Sequence, residues 1–106
     1  MTRQILALLL LSLGLSAQNR NVRFSVRLLN NPVSANGVHL AGDMQLAAGY
    51  ASNWDPSATT LTAQGNNTYE VSLSIPDGTY QFKFINGNTW GGDESIPGAC
   101  EVGGNR

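Results

Sequence analysis

Short runs in which apolar and polar residues alternate, separated by Gly, Asn and Pro, constrain the fold of this chain more than any other feature. In residues 79–85 the aromatic side chains occupy alternate positions. This is the period of a half-buried β-strand. We therefore expect the aromatic residues to face the core, and Lys83 and Ile85 to face outward. Asn86 and Gly87 then predict a tight turn, with Trp90 just beyond it.

The same alternation predicts strands at residues 22–29, 38–42, 59–62 and 69–75. In residues 38–42, Val38 and Leu40 share the core face and His39 lies on the other. A turn at residues 76–78 predicts that strands 69–75 and 79–85 pair as a hairpin. About five or six short strands without a convincing helix indicate an all-β fold, an immunoglobulin-like antiparallel β-sandwich that lacks its final strand.

The first residues resemble a secretory signal peptide, with a basic start at Arg3, an apolar run and small residues at the end. We therefore predict cleavage after Ala17 and a secreted or cell-surface protein. Residues 18–106 are then one small sandwich domain, incomplete at its C-terminal end. The single cysteine, Cys100, is either a small buried residue or has its disulfide partner outside this chain, in a continuation into a further domain.

Charge limits the kinds of partner. Without Arg3 the chain keeps five Lys and Arg residues against seven Asp and Glu, which gives a weakly acidic and sparsely charged surface. Nucleic acid and anionic membranes require clusters of basic residues, so neither is expected as a partner. Neutral polar partners fit this surface better.

The two tryptophans, Trp54 and Trp90, are the best candidates for binding. An indole has a large apolar face and an N–H donor, and the C–H face of a pyranose ring can stack on it. Small and polar neighbours around Trp90 favour its exposure. Trp54 follows the long irregular segment 43–56, which is typical of a functional loop, and it either turns outward to bind or closes the end of the sandwich.

Several residues together resemble the starch- and glycogen-binding modules of carbohydrate-binding families 20 and 48, including the glycogen-binding domain of the AMP-activated kinase β subunit. The ending, a Cys shortly before Gly-Asn-Arg, is similar to a version in secreted proteins of Bacteroidetes. The residues that carry the resemblance are Gly42, Asn53, Trp54, Asp55, Pro56, Tyr69, Ile75, Pro76, Gly78, Tyr80, Lys83, Phe84, Gly87 and Trp90.

The resemblance covers residues 22–106 and implies binding of α-glucan polysaccharide or oligosaccharide on an open surface. It implies that Trp54 and Trp90 stack on glucose rings while Lys83 donates hydrogen bonds to sugar hydroxyls. Without the resemblance, an outward lysine on a strand is ordinarily solvated or protects a sheet edge. Polar residues on the same face or in the turn are expected to assist: Gln81, Asn86 and Asn88.

Catalysis and metal binding find little support. His39, the only histidine, is predicted to be a hydrogen-bonded strand residue. Asp93 and Glu94 are adjacent on a loop, a spacing that does not by itself place two carboxylates across a scissile bond. We therefore expect no catalytic residues, no metal ligands and no cofactor.

Two functions remain open from the sequence. One is a non-catalytic α-glucan-binding module that is a fragment of a longer polysaccharide-active enzyme or surface protein. The other is a structural spacer or protein-docking sandwich that binds no sugar. Binding predicts that both indoles are exposed on one face, whereas a spacer predicts that at least one is buried.

Overall fold

The computed structural model describes residues 18–29, 32–95 and 101–106. Within these ranges the chain forms two antiparallel sheets and a single 3-10 turn, Trp90–Gly92. The strands in chain order are β1 (Asn19–Arg27), β2 (Val38–Gly42), β3 (Thr59–Thr60), β4 (Thr62–Gly65), β5 (Thr68–Pro76) and β6 (Phe82–Asn86). The predicted all-β fold is confirmed.

The first sheet has the order β1-β5-β4 and the second β3-β2-β6. The predicted hairpin between the strands on either side of residues 76–78 is therefore wrong. Strand β5 already pairs along one edge with β1 and along the other with β4, so no edge is left for β6. The chain crosses instead to the second sheet, where β6 pairs with β2. The Tyr80 hydroxyl stabilises this crossover by donating to the Pro76 carbonyl at 2.7 Å.

The core lies between the inner faces of the sheets. Its buried members, from both sheets and the segments between them, are Phe24, Val38, Leu40, Met44, Leu61, Leu73, Ile75 and Phe84. Phe24 of β1 packs edge-on against Phe82 of β6, with ring centroids 5.0 Å apart. The aromatic residues of the predicted strand 79–85 thus face the core, as their alternation indicates.

The outer face of the second sheet is also covered, which the alternation did not predict. His39 and Ile85, expected to face outward, are only 5% and 0% exposed. The reason is that the loop after β6 folds back over this face, where a Cβ on Gly92 would lie 3.5 Å from Ile85. The imidazole of His39 is hydrogen-bonded, with Nδ1 2.6 Å from the Gly87 carbonyl and Nε2 3.2 Å from the Thr60 hydroxyl. The expectation of a hydrogen-bonded strand histidine is confirmed.

Near the C-terminus, residues 101–106 form a turn closed by a bridge between Val102 and Asn105. Arg106 then exchanges both main-chain hydrogen bonds with Phe82, at 2.9 and 3.1 Å. The predicted signal peptide and Cys100 lie outside the described residues. In the ranges that the structure describes, no helix has the length and apolar character needed to cross a membrane.

Candidate functional site

Two loops that follow strands of the second sheet bring the tryptophans together. Trp54 lies in the loop between β2 and β3, and Trp90 in the loop after β6. Their ring centroids are 6.3 Å apart and the ring planes are inclined by 40°. Trp90 is 41% exposed and Trp54 is half-buried. The pair therefore forms an aromatic surface with a bend in it, and neither indole is enclosed in the core.

The backbone at Trp54 adopts an unusual conformation. Its φ is +57°, in the left-handed region that costs a side-chain-bearing residue about 1–2 kcal/mol. The Trp54 N–H donates to the Gly42 carbonyl at the end of β2, at 3.0 Å. Strained residues of this kind persist where surrounding structure fixes them, and they cluster at functional sites. The loop thus holds the main chain of Trp54 in a conformation that the local sequence does not favour.

Gln45 fixes this loop from inside the protein. Its side chain is fully buried, and its amide pairs with the Asp55 main chain: Oε1 accepts from the N–H at 2.9 Å and Nε2 donates to the carbonyl at 3.0 Å. The same Nε2 lies 3.0 Å from the Thr59 hydroxyl. The residue next to Trp54 is therefore attached to the sheet by an amide. Sequence reasoning missed Gln45, whose only signal was its place in the long irregular segment.

Asp55 completes the loop on its exposed side. Its carboxylate accepts hydrogen bonds from the Ser57 N–H at 2.9 Å and from the Ser57 hydroxyl at 2.8 Å. These two bonds, the backbone bond most of all, lower the pKa of Asp55 below its usual value. The carboxylate is therefore charged at neutral pH and closes a local turn directly after Trp54.

Lys83 does not extend freely outward as the alternation predicted. Its Nζ lies 2.8 Å from Asp93 Oδ2, and the two side chains are only 16% and 29% exposed. The hydrogen bond from Lys83 is the main cause that lowers the pKa of Asp93. The prediction failed because it considered β6 alone, whereas the chain returns along β6 after the turn at residues 86–87 and places Asp93 beside Ile85 in an isolated bridge.

Glu94 is likewise a structural residue. Its carboxylate accepts from the Phe84 N–H at 3.1 Å and forms a two-point ion pair with Arg106 at 2.8 and 2.9 Å. Its own N–H donates to the Phe84 carbonyl at 3.0 Å. Asp93 and Glu94 therefore each hold a different part of the edge of β6. Across residues 18–29, 32–95 and 101–106, no group of three or more His, Cys, Asp or Glu is placed to hold a metal ion.

The predicted assisting residues differ in what their side chains contact. Gln81 Oε1 accepts a hydrogen bond from Asn105 at 3.2 Å. Asn86 accepts from the Ser34 N–H and donates to the Pro32 carbonyl, both at 2.8 Å. An amide has further donor and acceptor capacity, but these bonds fix its orientation. Asn88 is half-buried in the turn. The structure thus brings the two indoles together and assigns the amides of Gln81 and Asn86 to internal bonds.

The sequence of this chain is similar to a known domain family and to parts of larger proteins. Residues 37–102 match the family described as "Pullulanase X25 domain". Over 54 residues the chain is 39% identical to an amylopullulanase of Thermoanaerobacterium saccharolyticum and 35% identical to one of Thermoanaerobacter thermohydrosulfuricus. Each alignment covers 48% of this chain and 4% of the relative, so the chain spans a very small part of these proteins. No solved structure matches.

Proposed function

The chain belongs to the pullulanase X25 domain family, and on that basis we propose that it is a non-catalytic module that binds starch-type α-glucan. Its relatives are named amylopullulanases, enzymes whose name refers to amylose and pullulan. The comparisons support an α-glucan-related module, but not the narrower resemblance to families 20 and 48 or an origin in Bacteroidetes. A short domain without catalytic function accords with the small share of the relatives that it matches.

The observation that carries the proposal is the adjacent pair of tryptophans. Trp90 is 41% exposed, and its ring centroid lies 6.3 Å from that of Trp54. Adjacent indoles form one contiguous apolar patch, and contiguous apolar patches at a surface are a feature of binding sites. A pyranose ring covers an indole well because its C–H face is apolar while its rim remains hydrated. Each of the two indoles is therefore proposed to stack on one glucose unit.

The 40° angle between the two indole planes favours a curved glucan. The axial linkage of an α-1,4-glucan turns each glucose relative to the one before it, so successive C–H faces are not coplanar. A β-1,4-glucan is a flat ribbon, which a coplanar aromatic surface would fit better. Starch or glycogen is therefore the proposed polymer. The assisting roles of Gln81, Asn86 and Asn88 toward sugar hydroxyls remain predictions.

The expected affinity is low. Stacking two rings contributes about 1.5–3 kcal/mol each, and a few hydrogen bonds that compete with water add about 1 kcal/mol each. After the cost of association, about 4–7 kcal/mol remains, which is a Kd from about a millimolar to about ten micromolar. Such a module acts by keeping an attached protein near a polymer, where a high local concentration of sites compensates for weak binding.

Export is part of the proposal. The signal-peptide pattern of residues 1–17 supports it. The alternative, a spacer or protein-docking sandwich, was expected to bury at least one indole. Trp90 is exposed and Trp54 is half-buried. The spacer's criterion of a buried indole is therefore not met, and the binding criterion of two exposed indoles is met by Trp90 alone.

Titration with oligosaccharides tests the proposal. Tryptophan fluorescence is followed while the chain is mixed with maltoheptaose, and in parallel with cello- and xylo-oligosaccharides. We expect a saturable change with maltoheptaose that the β-linked sugars do not produce. A folded chain that responds to none of these sugars contradicts the proposed function and supports the spacer.

A further inference from the structure

The ion pair between Lys83 and Asp93 lies where the Trp90 loop rejoins the sheet. Asp93 follows the 3-10 turn Trp90–Gly92 directly, and its N–H is 3.4 Å from the Trp90 carbonyl. Asp93 also forms an isolated antiparallel bridge with Ile85. Lys83 stands two positions before Ile85 on the same face of β6, so it reaches Asp93 diagonally across the bridge. A side-chain bond thus reinforces this bridge.

From this arrangement we propose that Lys83 and Asp93 are positioning residues: their ion pair orients Trp90 against Trp54 and does not itself contact the sugar. The proposal assigns to Lys83 a role different from the one that the family resemblance implied. It rests on the proposed function only for its effect on sugar binding, because the orientation of the indoles is a property of the free protein.

The exposure of the two side chains supports this role. Lys83 is 16% exposed and Asp93 29%, so most of both side chains is already covered by protein. A sugar hydroxyl would have to displace a 2.8 Å charged contact to reach the ammonium. Breaking a partly buried pair leaves the remaining charge without compensation, which makes the paired arrangement the stable one.

The rest of the Trp90 turn offers few other attachments. A Cβ on Gly91 would meet nothing within 4 Å, so this residue stands clear of its surroundings. Gly92 does approach the sheet, because a Cβ there would overlap the Asn86 carbonyl. Within the described part of the loop, the turn that carries Trp90 is therefore held by the close approach at Gly92, by the contacts of Asp93 and, one residue further on, by the bonds of Glu94 to Phe84. Loss of the ion pair removes the side-chain bond that attaches Asp93 to β6.

Circular dichroism measures the orientation directly. Two indoles at this separation couple electronically, and the exciton couplet depends on their separation and their mutual angle, which it reports in the absence of any sugar. We expect Lys83→Met and Asp93→Asn each to reduce the couplet. If the chain binds α-glucan as proposed, both variants should also raise the Kd for maltoheptaose, by a similar factor of about three to ten. Lys83→Arg keeps a cation at this position and should retain most of the couplet.

Exchange of the two charges distinguishes positioning from contact. The double variant Lys83→Asp with Asp93→Lys restores an ion pair but moves the cation to the loop. Its couplet and its affinity for maltoheptaose should both be greater than those of Lys83→Met or Asp93→Asn. The exposed pair Arg20–Asp77, which is 67% and 55% exposed, is the matched control: Arg20→Met and Asp77→Asn should alter neither measurement. Thermal unfolding establishes that each variant is folded.

Two results would overturn the proposal. One is an unchanged couplet in both folded single variants. The other is a loss of affinity in Lys83→Met with none in Asp93→Asn, which would identify Lys83 as a direct sugar contact. If the unaltered chain binds no sugar, the proposed function fails while the couplet still tests the ion pair. If the exchanged double variant does not fold, Lys83→Arg decides: a couplet as small as that of Lys83→Met contradicts the role of the ion pair.

Discussion

Replacing Trp90 by alanine is the change that bears most directly on the proposed site. Trp90 is 41% exposed, and a complete indole side chain has a surface on the order of 250 Å². About 100 Å² is therefore available to a ligand. At about 25 cal/mol per Å², covering all of it would contribute about 2.5 kcal/mol.

A single glucose unit covers one side of the ring, so about half of that free energy is realised. The expected loss on Trp90→Ala is about 1.3 kcal/mol, or about a tenfold increase in the Kd for maltoheptaose. Trp90 is not a member of the core cluster, so the variant is expected to remain folded. Isothermal titration calorimetry is the suitable assay, because the change removes one of the two fluorophores.

Leu29→Ala is the matched control for this prediction. Leu29 is 72% exposed after the end of β1, so this change also truncates an exposed apolar side chain but leaves both indoles in place. The Kd of Leu29→Ala for maltoheptaose should equal that of the unaltered chain. The reasoning is refuted if folded Trp90→Ala binds maltoheptaose as tightly as the unaltered chain, or if Leu29→Ala loses as much affinity.

Other changes test the framework of the two loops. Gln45→Leu removes the amide that bonds the main chain of Asp55 and leaves those groups unpaired. The free energy of unfolding, measured by urea denaturation, should therefore fall by about 3 kcal/mol. A loss below about 1 kcal/mol contradicts this prediction. Gly42→Ala places a Cβ 2.6 Å from a backbone carbonyl oxygen and should cost about 2 kcal/mol or more, whereas Gly91→Ala, whose Cβ meets no atom within 4 Å, should be nearly neutral in the same assay. Acid should remove the contribution of Asp93 to the free energy of unfolding, because the pKa of Asp93 is lowered in the folded state. This contribution is complete above the usual pKa range of a carboxyl group and disappears as the pH falls through the lowered pKa. The difference in unfolding free energy between the unaltered chain and Asp93→Asn should therefore shrink at low pH, and a difference independent of pH would show that the ion pair does not contribute.

Local patterns in the sequence were sufficient for several elements. Strand β2 spans Val38–Gly42 as predicted, because alternation and a preceding Asn-Gly turn define both its faces and its start. The strand predicted at 69–75 is β5, Thr68–Pro76. The segment 59–62 was predicted as one strand, but the structure divides it at Leu61, whose N–H donates to the Val38 carbonyl at 2.9 Å while the chain passes from one sheet to the other.

The strand of residues 79–85 shows where local patterns stop being informative. Strand β6 begins only at Phe82, because Gln81 instead exchanges hydrogen bonds with Asp43, its N–H donating to the carboxylate at 2.9 Å. Alternation separates the two faces of a strand correctly, but it contains no information about what covers each face. Ile85 was therefore expected in solvent, although a loop buries it completely.

The sequence by itself determined the strand periodicity, the principal turns and the candidate pair of aromatic residues, because these depend on neighbours along the chain. Only the tertiary structure decided which strands pair, that Gln45 fixes the loop of Trp54, and that Lys83 is bound to Asp93. These contacts join residues that are distant in sequence or separated by a turn, and they depend on how the loops pack. The mutual orientation of Trp54 and Trp90, on which the proposed function depends, is therefore a property of the folded protein.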